Sequence, residues 1–395
     1  MSNVLKFNNN VFPLSILNFA SFFQYQRFIM PISFLFYLQN GLNFSDFILF
    51  QSIFNAVCLL AKIPMGYIGD IFSKKYILIF SYFLFMLRVI LWISFSGFWI
   101  VLCGEILYGL FKALYRGNVD SYIYEYLKQK KLDKSMISNY GNLTFWTSVG
   151  SAISCVACVL LFKFYNFKII LLIELVFQVI SIILLFFIPN IKSEKFSQIG
   201  VLESIKTLIT DKKVNLYVYY SALLNGLTSV FVWNFQPLLK LCSANVLFFG
   251  VINFINQILR GMGGIVAKKI CKVLQHNSLI KIEYYVVVFS FLILIAAINL
   301  KNIYFTVFSL IIISFGILMF VVFNILTISK IHESIEDKYR ATLSSTNTFF
   351  SDFSSFILLL LFKISFDCFG LIPTILIFLA GTLFLLRPDK FNELM

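Results

Sequence analysis

The chain has 395 residues, of which 60% are hydrophobic and only 13% are charged, with a mean hydropathy of +0.89. A soluble globular domain is about half apolar and about a quarter charged, so this composition excludes an ordinary soluble protein. The net charge is +14, but the cations lie in short gaps between apolar runs. There we expect them to set orientation and to contact lipid headgroups rather than nucleic acid.

Apolar runs long enough to cross a bilayer, about 20 residues each, follow one another along the chain. We predict an all-α membrane protein with about twelve transmembrane helices, because lipid offers no partners to unpaired backbone groups. The runs lie at roughly 12–38, 46–70, 76–96, 98–126, 138–162, 167–189, 214–240, 246–268, 279–299, 303–329, 341–363 and 369–387. No cleavage site follows Met1–Asn10, so the first run is expected to be retained rather than removed as a signal peptide.

The longest polar stretch, Asn190–Lys213, divides the chain into two predicted six-helix bundles. The bundles are 1–190 and 214–395, joined by a cytoplasmic linker at 191–213, in which Val201–Ile209 is a candidate for a short amphipathic helix. When the N- and C-termini are both placed in the cytoplasm, the cytoplasmic loops hold most of the loop lysines and arginines. This distribution supports that orientation.

The sequence offers no pattern typical of an enzyme or a metal centre. The seven cysteines are scattered, and the pair Cys155 and Cys158 lies within a membrane run, where small packing residues are the favoured interpretation. Only two histidines are present, His276 and His332, so no histidine-based metal cluster is expected. The lack of a nucleophile–histidine arrangement and of a P-loop argues against an enzyme and a primary pump, and no cofactor is expected.

The loop after the second predicted helix, Gly66–Lys75, reads GYIGDIFSKK. It resembles the signature Gly-x-x-x-Asp-Arg-x-Gly-Arg-Arg of the major facilitator superfamily. The matching residues are Gly66, Asp70, Lys74 and Lys75, and the departures are Ile71 and Ser73. The resemblance implies the family's fold, in which two six-helix bundles are related by a twofold axis along the membrane normal.

The resemblance also implies that this loop is a conformational gate. In the family, the aspartate matched by Asp70 contacts the N-terminus of the eleventh helix, which is expected here near Arg340–Ala341, and the contact closes the cytoplasmic side. Asp70 ends its own helix, where the helix dipole disfavours an anion, so an external partner is expected. Asp120, near the cytoplasmic end of the fourth helix, is assigned to the same gate, with structural pairing to Arg116 as the alternative.

The fourth predicted helix carries a polar stripe on one face. The stripe consists of Glu105, Gly109, Lys112, Arg116 and Asp120. It extends over about 22 Å and is expected to line a water-filled cavity, because ionisable residues are costly in lipid. Glu105 is the candidate for proton coupling, since a dry environment favours the protonated form of a carboxyl group. A static ion pair of Glu105 with Arg27 or Lys112 is the alternative.

Further polar residues in predicted helices are candidates for substrate binding or coupling. They are Arg27 in the first helix, Gln236 in the seventh, Arg260 in the eighth and Asp352 in the eleventh. Glu174, Gln178 and Ser181 also align in the sixth helix. The family fold implies that the first, fourth, seventh and tenth helices surround the cavity, which favours Arg27 and the fourth-helix stripe. For the single amides and serines, hydrogen bonds between helices are the favoured interpretation.

Together these features predict a secondary active transporter that works by alternating access, as a monomer in the bacterial inner membrane. The cations Arg27, Lys112 and Arg116 indicate an anionic or zwitterionic small organic substrate. The resemblance is to the drug- and metabolite-exporting branch, which implies proton-coupled export, although the Gly-Pro-x-x-Gly-Gly run of drug antiporters has no match in Trp146–Cys155. A proton-coupled nutrient symporter stays open as an alternative, as do a membrane sensor and a lipid flippase of the same fold.

Overall fold

The computed structural model describes residues 12–131, 136–191, 212–273, 276–333 and 340–386. Over these ranges the chain folds into thirteen α-helices and one short 3₁₀ turn at Met30–Ile32. The helices are α1 (Phe12–Gln24), α2 (Ser33–Gln39), α3 (Phe44–Ile71), α4 (Lys74–Ser94), α5 (Phe98–Gln129), α6 (Met136–Phe164), α7 (Phe167–Phe186), α8 (Lys212–Leu241), α9 (Val246–Val273), α10 (His276–Leu300), α11 (Ile303–Glu333), α12 (Arg340–Phe369) and α13 (Leu371–Leu385). Within the described ranges, nine helices are long and apolar enough to cross a membrane.

The predicted runs from the second to the twelfth each correspond to one helix, α3 to α13. The first run, predicted as one helix over 12–38, is instead divided into α1 and α2, so that prediction was wrong. Pro31 explains the division, because it cannot donate the helical hydrogen bond to the carbonyl of Arg27 and its ring would collide with that carbonyl. The backbone N–H of Met30 donates to the Arg27 carbonyl instead, at 3.2 Å.

The chain divides into two compact units. Unit 1 contains Met1–Met30 and Leu60–Phe196, and unit 2 contains Pro31–Leu59 and Ser197–Met395. Helix α3 contributes its first part to unit 2 and its second part to unit 1. The division into two six-helix bundles and a linker stays a prediction, and the linker helix expected at Val201–Ile209 lies outside the described residues.

In unit 1, α1 packs against α6 and α7, and α4 packs against α5 and α7. Helices α1 and α6 approach closely at Gly150, where an added Cβ would lie 2.5 Å from the backbone oxygen of Phe22. At Gly104 of α5, an added Cβ would overlap the indole ring of Trp92 from α4. Small residues therefore let these helices approach closely, as is usual where lipid supplies no hydrophobic driving force between helices.

In unit 2, the most extensive helix contacts are those of α8 with α12 and of α9 with α11. Helix α10 packs against α11 and α13. Helices α8 and α12 approach closely at Gly226, where an added Cβ would lie 2.5 Å from Oγ and 3.0 Å from the backbone carbon of Ser354. A side chain at this position would force the two helices apart.

Candidate functional site

The break in the first predicted span is stabilised by side chains of α7. Helix α1 ends at Gln24, and the following residues 25–29 are not helical. The backbone N–H of Ile29 donates to Oε2 of Glu174 at 3.0 Å, and Nε2 of Gln178 donates to the backbone carbonyl of Gln24 at 3.2 Å. Glu174 and Gln178 are one turn apart on α7, so this helix supplies partners for backbone groups that the break releases.

Arg27 lies inside this break, and only 7% of its side chain is exposed. Its Nη1 donates to the hydroxyl of Tyr108 at 2.6 Å, and its Nη2 donates to Oε1 of Gln24 at 2.7 Å. The guanidinium carbon lies 4.2 Å from the ring centroid of Tyr25 and 4.7 Å from that of Phe85, within the range of cation–π attraction. The unwound segment thus holds a buried cation between polar and aromatic partners.

Glu105 forms an ion pair with Arg88, which lies in α4. Nη2 of Arg88 and Oε1 of Glu105 are 2.8 Å apart, and both side chains are almost completely buried. The guanidinium carbon of Arg88 also lies 3.9 Å from the ring centroid of Trp92 and 4.6 Å from that of Tyr108. Tyr108 therefore contacts both Arg27 and Arg88.

Four buried charged side chains of unit 1 form one neighbourhood, which we call the buried charge cluster. Its members are Arg27, Arg88, Glu105 and Glu174. Both arginines are within electrostatic reach of Glu174. Two cations balance two carboxylates, so the cluster is neutral when both carboxylates are ionised. Neutrality matters because an uncompensated charge in a dry interior costs several kcal/mol.

The sequence patterns did not single out Arg88, and they showed Glu174 only as part of an aligned stripe. They offered Arg27 or Lys112 as the partner of Glu105 in a static ion pair, whereas the ion pair in the structure is with Arg88. A lone arginine in an otherwise apolar span is costly in lipid, and that cost is the signal that points to Arg88.

The remaining residues of the predicted stripe lie on later turns of α5. Lys112 and Asp120 are half-buried and Arg116 is exposed, so Glu105 is the most buried charged residue of the stripe. The structure thus brings two of the predicted site residues, Glu105 and Arg27, into the buried charge cluster.

In unit 2, Gln236 of α8 caps the start of α2. Its Oε1 accepts hydrogen bonds from the backbone N–H of Phe34 at 2.9 Å and from the hydroxyl of Ser33 at 3.3 Å. The residue that precedes α2 provides no side-chain cap of its own, so Gln236 satisfies a backbone donor of the first turn. Arg260, the candidate on α9, is exposed.

Asp352 lies on α12 and is buried in unit 2. The thiol of Cys58 donates to its Oδ2 at 3.5 Å. One turn further along α12, Ser355 accepts a hydrogen bond from Nδ2 of Asn225 at 2.8 Å, and its hydroxyl lies 3.0 Å from that of Ser229. Hydrogen bonds between helices, favoured from the sequence for such amides and serines, therefore connect α8 to α12.

Only Phe72 and Ser73 of the predicted gate loop separate α3 from α4. Nζ of Lys75 donates to the backbone carbonyl of Phe186 at 2.7 Å, where a cation stabilises the C-terminal end of α7. The hydroxyl of Ser73, which departs from the family pattern, donates to Oδ1 of Asn190. This end of unit 1 is therefore tied to the end of α7.

The other gate residues are placed only in part. Lys74 is buried at the start of α4. Gly66 and Asp70 lie within α3. The surroundings of these two residues and of Arg340–Ala341 are outside what the structure describes. The predicted gate contact therefore stays a prediction.

A family model described as the Major Facilitator Superfamily matches residues 14–359, which is most of the chain. The chain belongs to the major facilitator superfamily. It is therefore a multi-pass membrane protein and a secondary transporter, not an enzyme. The all-helical fold predicted from the sequence is confirmed.

Solved structures share the fold of this superfamily member over nearly its whole length. A structure of the nucleoside transporter NupG has a TM-score of 0.77 at 13% identity and covers 98% of this chain and 99% of its own. A POT family transporter in complex with a thioalcohol-conjugated peptide has a TM-score of 0.73 at 13% identity, with 96% of each chain covered. The D-xylose-proton symporter has a TM-score of 0.75 at 12% identity, with coverage of 95% and 97%. At these identities the similarity shows the fold alone, and no curated protein matches the sequence.

Proposed function

We propose that the protein is a proton-coupled transporter of a small anionic or zwitterionic organic molecule, and that Glu105 takes up the coupling proton. The buried ion pair of Arg88 and Glu105, 2.8 Å apart, is the observation that carries this proposal. A buried arginine that loses its carboxylate partner is strongly destabilised. An anionic group of the substrate can replace that partner.

Charge balance links the proton to the substrate. The buried charge cluster is neutral when Glu105 and Glu174 are ionised, and one added proton leaves a net positive charge on Arg27 and Arg88. A substrate carboxylate or phosphate group restores neutrality. The proton and the anion therefore bind better together than separately, which is positive coupling between two ligands.

The direction of transport has two candidates. The resemblance to exporters favours proton-coupled export, in which a proton and the substrate move in opposite directions. The ion pair favours the alternative of uptake by symport, because an anion that binds Arg88 and a proton that binds Glu105 assist each other instead of competing. The D-xylose-proton symporter has the same fold, which supports symport as a mechanism that this fold allows.

The predicted gate is part of the proposal. Helix α3 ends at Ile71, so Asp70 lies in its last turn, where the helix dipole disfavours a carboxylate. This position supports a contact partner outside α3, as the family gate requires. Lys112 and Arg116, on later turns of α5, are proposed to attract the anionic substrate.

The proposal is tested in two steps, beginning with a substrate. Purified full-length protein is screened by thermal shift against small carboxylates, organic phosphates, amino acids and drug-like cations. Each hit is then added outside proteoliposomes that contain a pH-sensitive dye. Acidification of the lumen shows symport, and alkalinisation shows exchange of solute for protons, the export-type mechanism.

Three results would contradict the proposal. Solute uptake without any change of lumenal pH would exclude proton coupling. Transport restricted to cations would exclude the proposed substrate class. Binding of a ligand without flux would favour a membrane sensor, and movement of a labelled phospholipid between leaflets would favour a flippase.

A further inference from the structure

The second carboxylate of the buried charge cluster, Glu174, binds the backbone of the broken span. Its side chain is completely buried in α7. Oε2 accepts the N–H of Ile29 at 3.0 Å, and the backbone of Phe28 also lies close to this carboxylate. Both residues lie in the non-helical segment that contains Arg27. A single carboxylate thus fixes the segment that positions a buried cation.

Four side chains at the break each use only part of their hydrogen-bonding capacity. Among the described residues, the polar atoms without a partner there are Oε1 of Glu174, Oε1 of Gln178, Oε1 of Gln26 and Nε2 of Gln24. Buried polar atoms are nearly always bonded, so each of these needs an explanation. Three of the four are acceptors, and two of these, on Glu174 and Gln178, lie one turn apart on α7. What this part of α7 lacks is a hydrogen-bond donor, and a proton on Glu174 would provide one.

The charged and titratable groups around Glu174 come from each helix that packs on α7. Arg27 approaches from the break that follows α1, Arg88 from α4 and the thiol of Cys158 from α6. With Glu174 ionised, the two arginines share two carboxylates. With Glu174 protonated, Glu105 is the one member of the cluster left to balance both arginines. The uncompensated positive charge then favours movement of the arginines.

We propose that Glu174 is a proton-binding site that latches the break in the first span. The ionised carboxylate holds the amide of Ile29 and keeps Arg27 in place, because hydrogen bonds to an ionised acceptor are markedly stronger than those to a neutral one. Protonation weakens this bond and frees residues 25–29 to move. The inference rests on the proposed proton coupling and adds a second residue to it, one that converts a proton into movement of the backbone.

Amide hydrogen exchange of the full-length protein in lipid nanodiscs tests the latch without any substrate. Protection factors of the segment 25–29, corrected for intrinsic exchange, are compared at mildly acidic and mildly alkaline pH. Loss of the charge-assisted bond should lower protection by about tenfold on acidification. Equal protection of this segment at both pH values in the wild type would overturn the proposal.

Variants separate the latch from general damage. Glu174→Gln should give low protection at both pH values, whereas Glu174→Asp, which keeps a carboxylate, should retain a pH-dependent difference. Glu283→Gln, a matched change of another buried carboxylate on α10 of unit 2, should behave as the wild type. A pH response that persists in Glu174→Gln would contradict the assignment. If that variant does not fold, the wild type and Glu174→Asp decide, and a failure here leaves the lumenal pH test of Glu105 unaffected.

Discussion

The interiors of the two units are built from different polar chemistry. Unit 1 buries two arginines and two glutamates in one cluster around Arg88 and Glu105. The described part of unit 2 buries no lysine or arginine, and its helices are joined by amides and hydroxyls such as Asn225 with Ser355. The carboxylates that it buries are Asp352 and Glu283.

Because of this difference, protonation can change the interior contacts of unit 1 that involve ion pairs, but not the contacts of unit 2 between amides and hydroxyls. An ion pair in a dry interior depends on both partners being charged, so one proton alters its free energy by several kcal/mol. A hydrogen bond between a serine and an asparagine does not titrate. We therefore expect the response to protons to originate in unit 1, while the contacts of unit 2 between amides and hydroxyls act as pH-independent packing.

The largest expected effect follows from separating the members of the ion pair. Glu105→Gln or Arg88→Gln alone should destabilise the protein by about 3–5 kcal/mol, because each leaves one buried charge uncompensated. The double variant removes both charges and should recover most of the loss. Thermal unfolding in detergent measures all three proteins. Additive losses in the double variant would show that the two side chains do not act as a pair.

Changes that disturb close helix packing should destabilise the two units by similar amounts. Gly150→Ala in unit 1 and Gly226→Ala in unit 2 both place a Cβ against a neighbouring helix, which should cost about 1–3 kcal/mol each. The control is Gly381→Ala in α13, where nothing lies within 4 Å of the added Cβ. Because alanine favours helices by about 1 kcal/mol over glycine, that variant should be neutral or more stable. A pH dependence of either packing variant that exceeds the wild type would contradict the comparison.

A comparable effect is expected in unit 2 where the amide of Gln236 accepts a backbone N–H, as the carboxylate of Glu174 does in unit 1. Gln236→Leu leaves the N–H of Phe34 without its acceptor and should cost about 1–3 kcal/mol. Gln236→Glu keeps an acceptor and makes it titratable, so its stability should be near that of the wild type at neutral pH and fall on acidification. Melting temperatures across a pH series measure this. A pH profile of Gln236→Glu identical to the wild type would show that the bond contributes little.

The smallest effect concerns the cation at the end of α7. Lys75→Met removes the bond to the carbonyl of Phe186 and should cost about 0.3–1 kcal/mol, less at high salt. Lys168→Met changes the same residue type at the opposite end of the same helix, where the dipole disfavours a cation, and should be neutral or slightly stabilising. Equal losses in the two variants, measured by thermal unfolding at low and high salt, would contradict a dipole effect.

The membrane spans could be predicted because hydropathy is a local property of the sequence. Each run from the second to the twelfth corresponds to one helix, although α8 and α12 carry many polar residues. The break in the first run was missed, even though Pro31 marks it, because the apolar composition continues through the proline. A search for proline within a span would have found it.

The ion pair of Arg88 with Glu105 could not be predicted in the same way. Spacing along α5 singled out Glu105 as a candidate, but its partner lies on α4 and depends on how the two helices pack. Glu174 was visible as a polar position, whereas its bond to the amide of Ile29 depends on an unwound backbone that no periodic pattern encodes. The sequence therefore indicates which residues of a helix are polar, but not which residue of another helix each of them binds.

The most direct test of proton coupling by unit 1 compares two readouts on the same proteoliposomes. Lumenal pH is followed after external addition of the substrate, and solute counterflow is measured without a pH gradient. For Glu105→Gln we predict counterflow with no change of lumenal pH, and for Glu283→Gln we predict that both signals match the wild type. A change of lumenal pH in Glu105→Gln as large as that of the wild type would contradict the account.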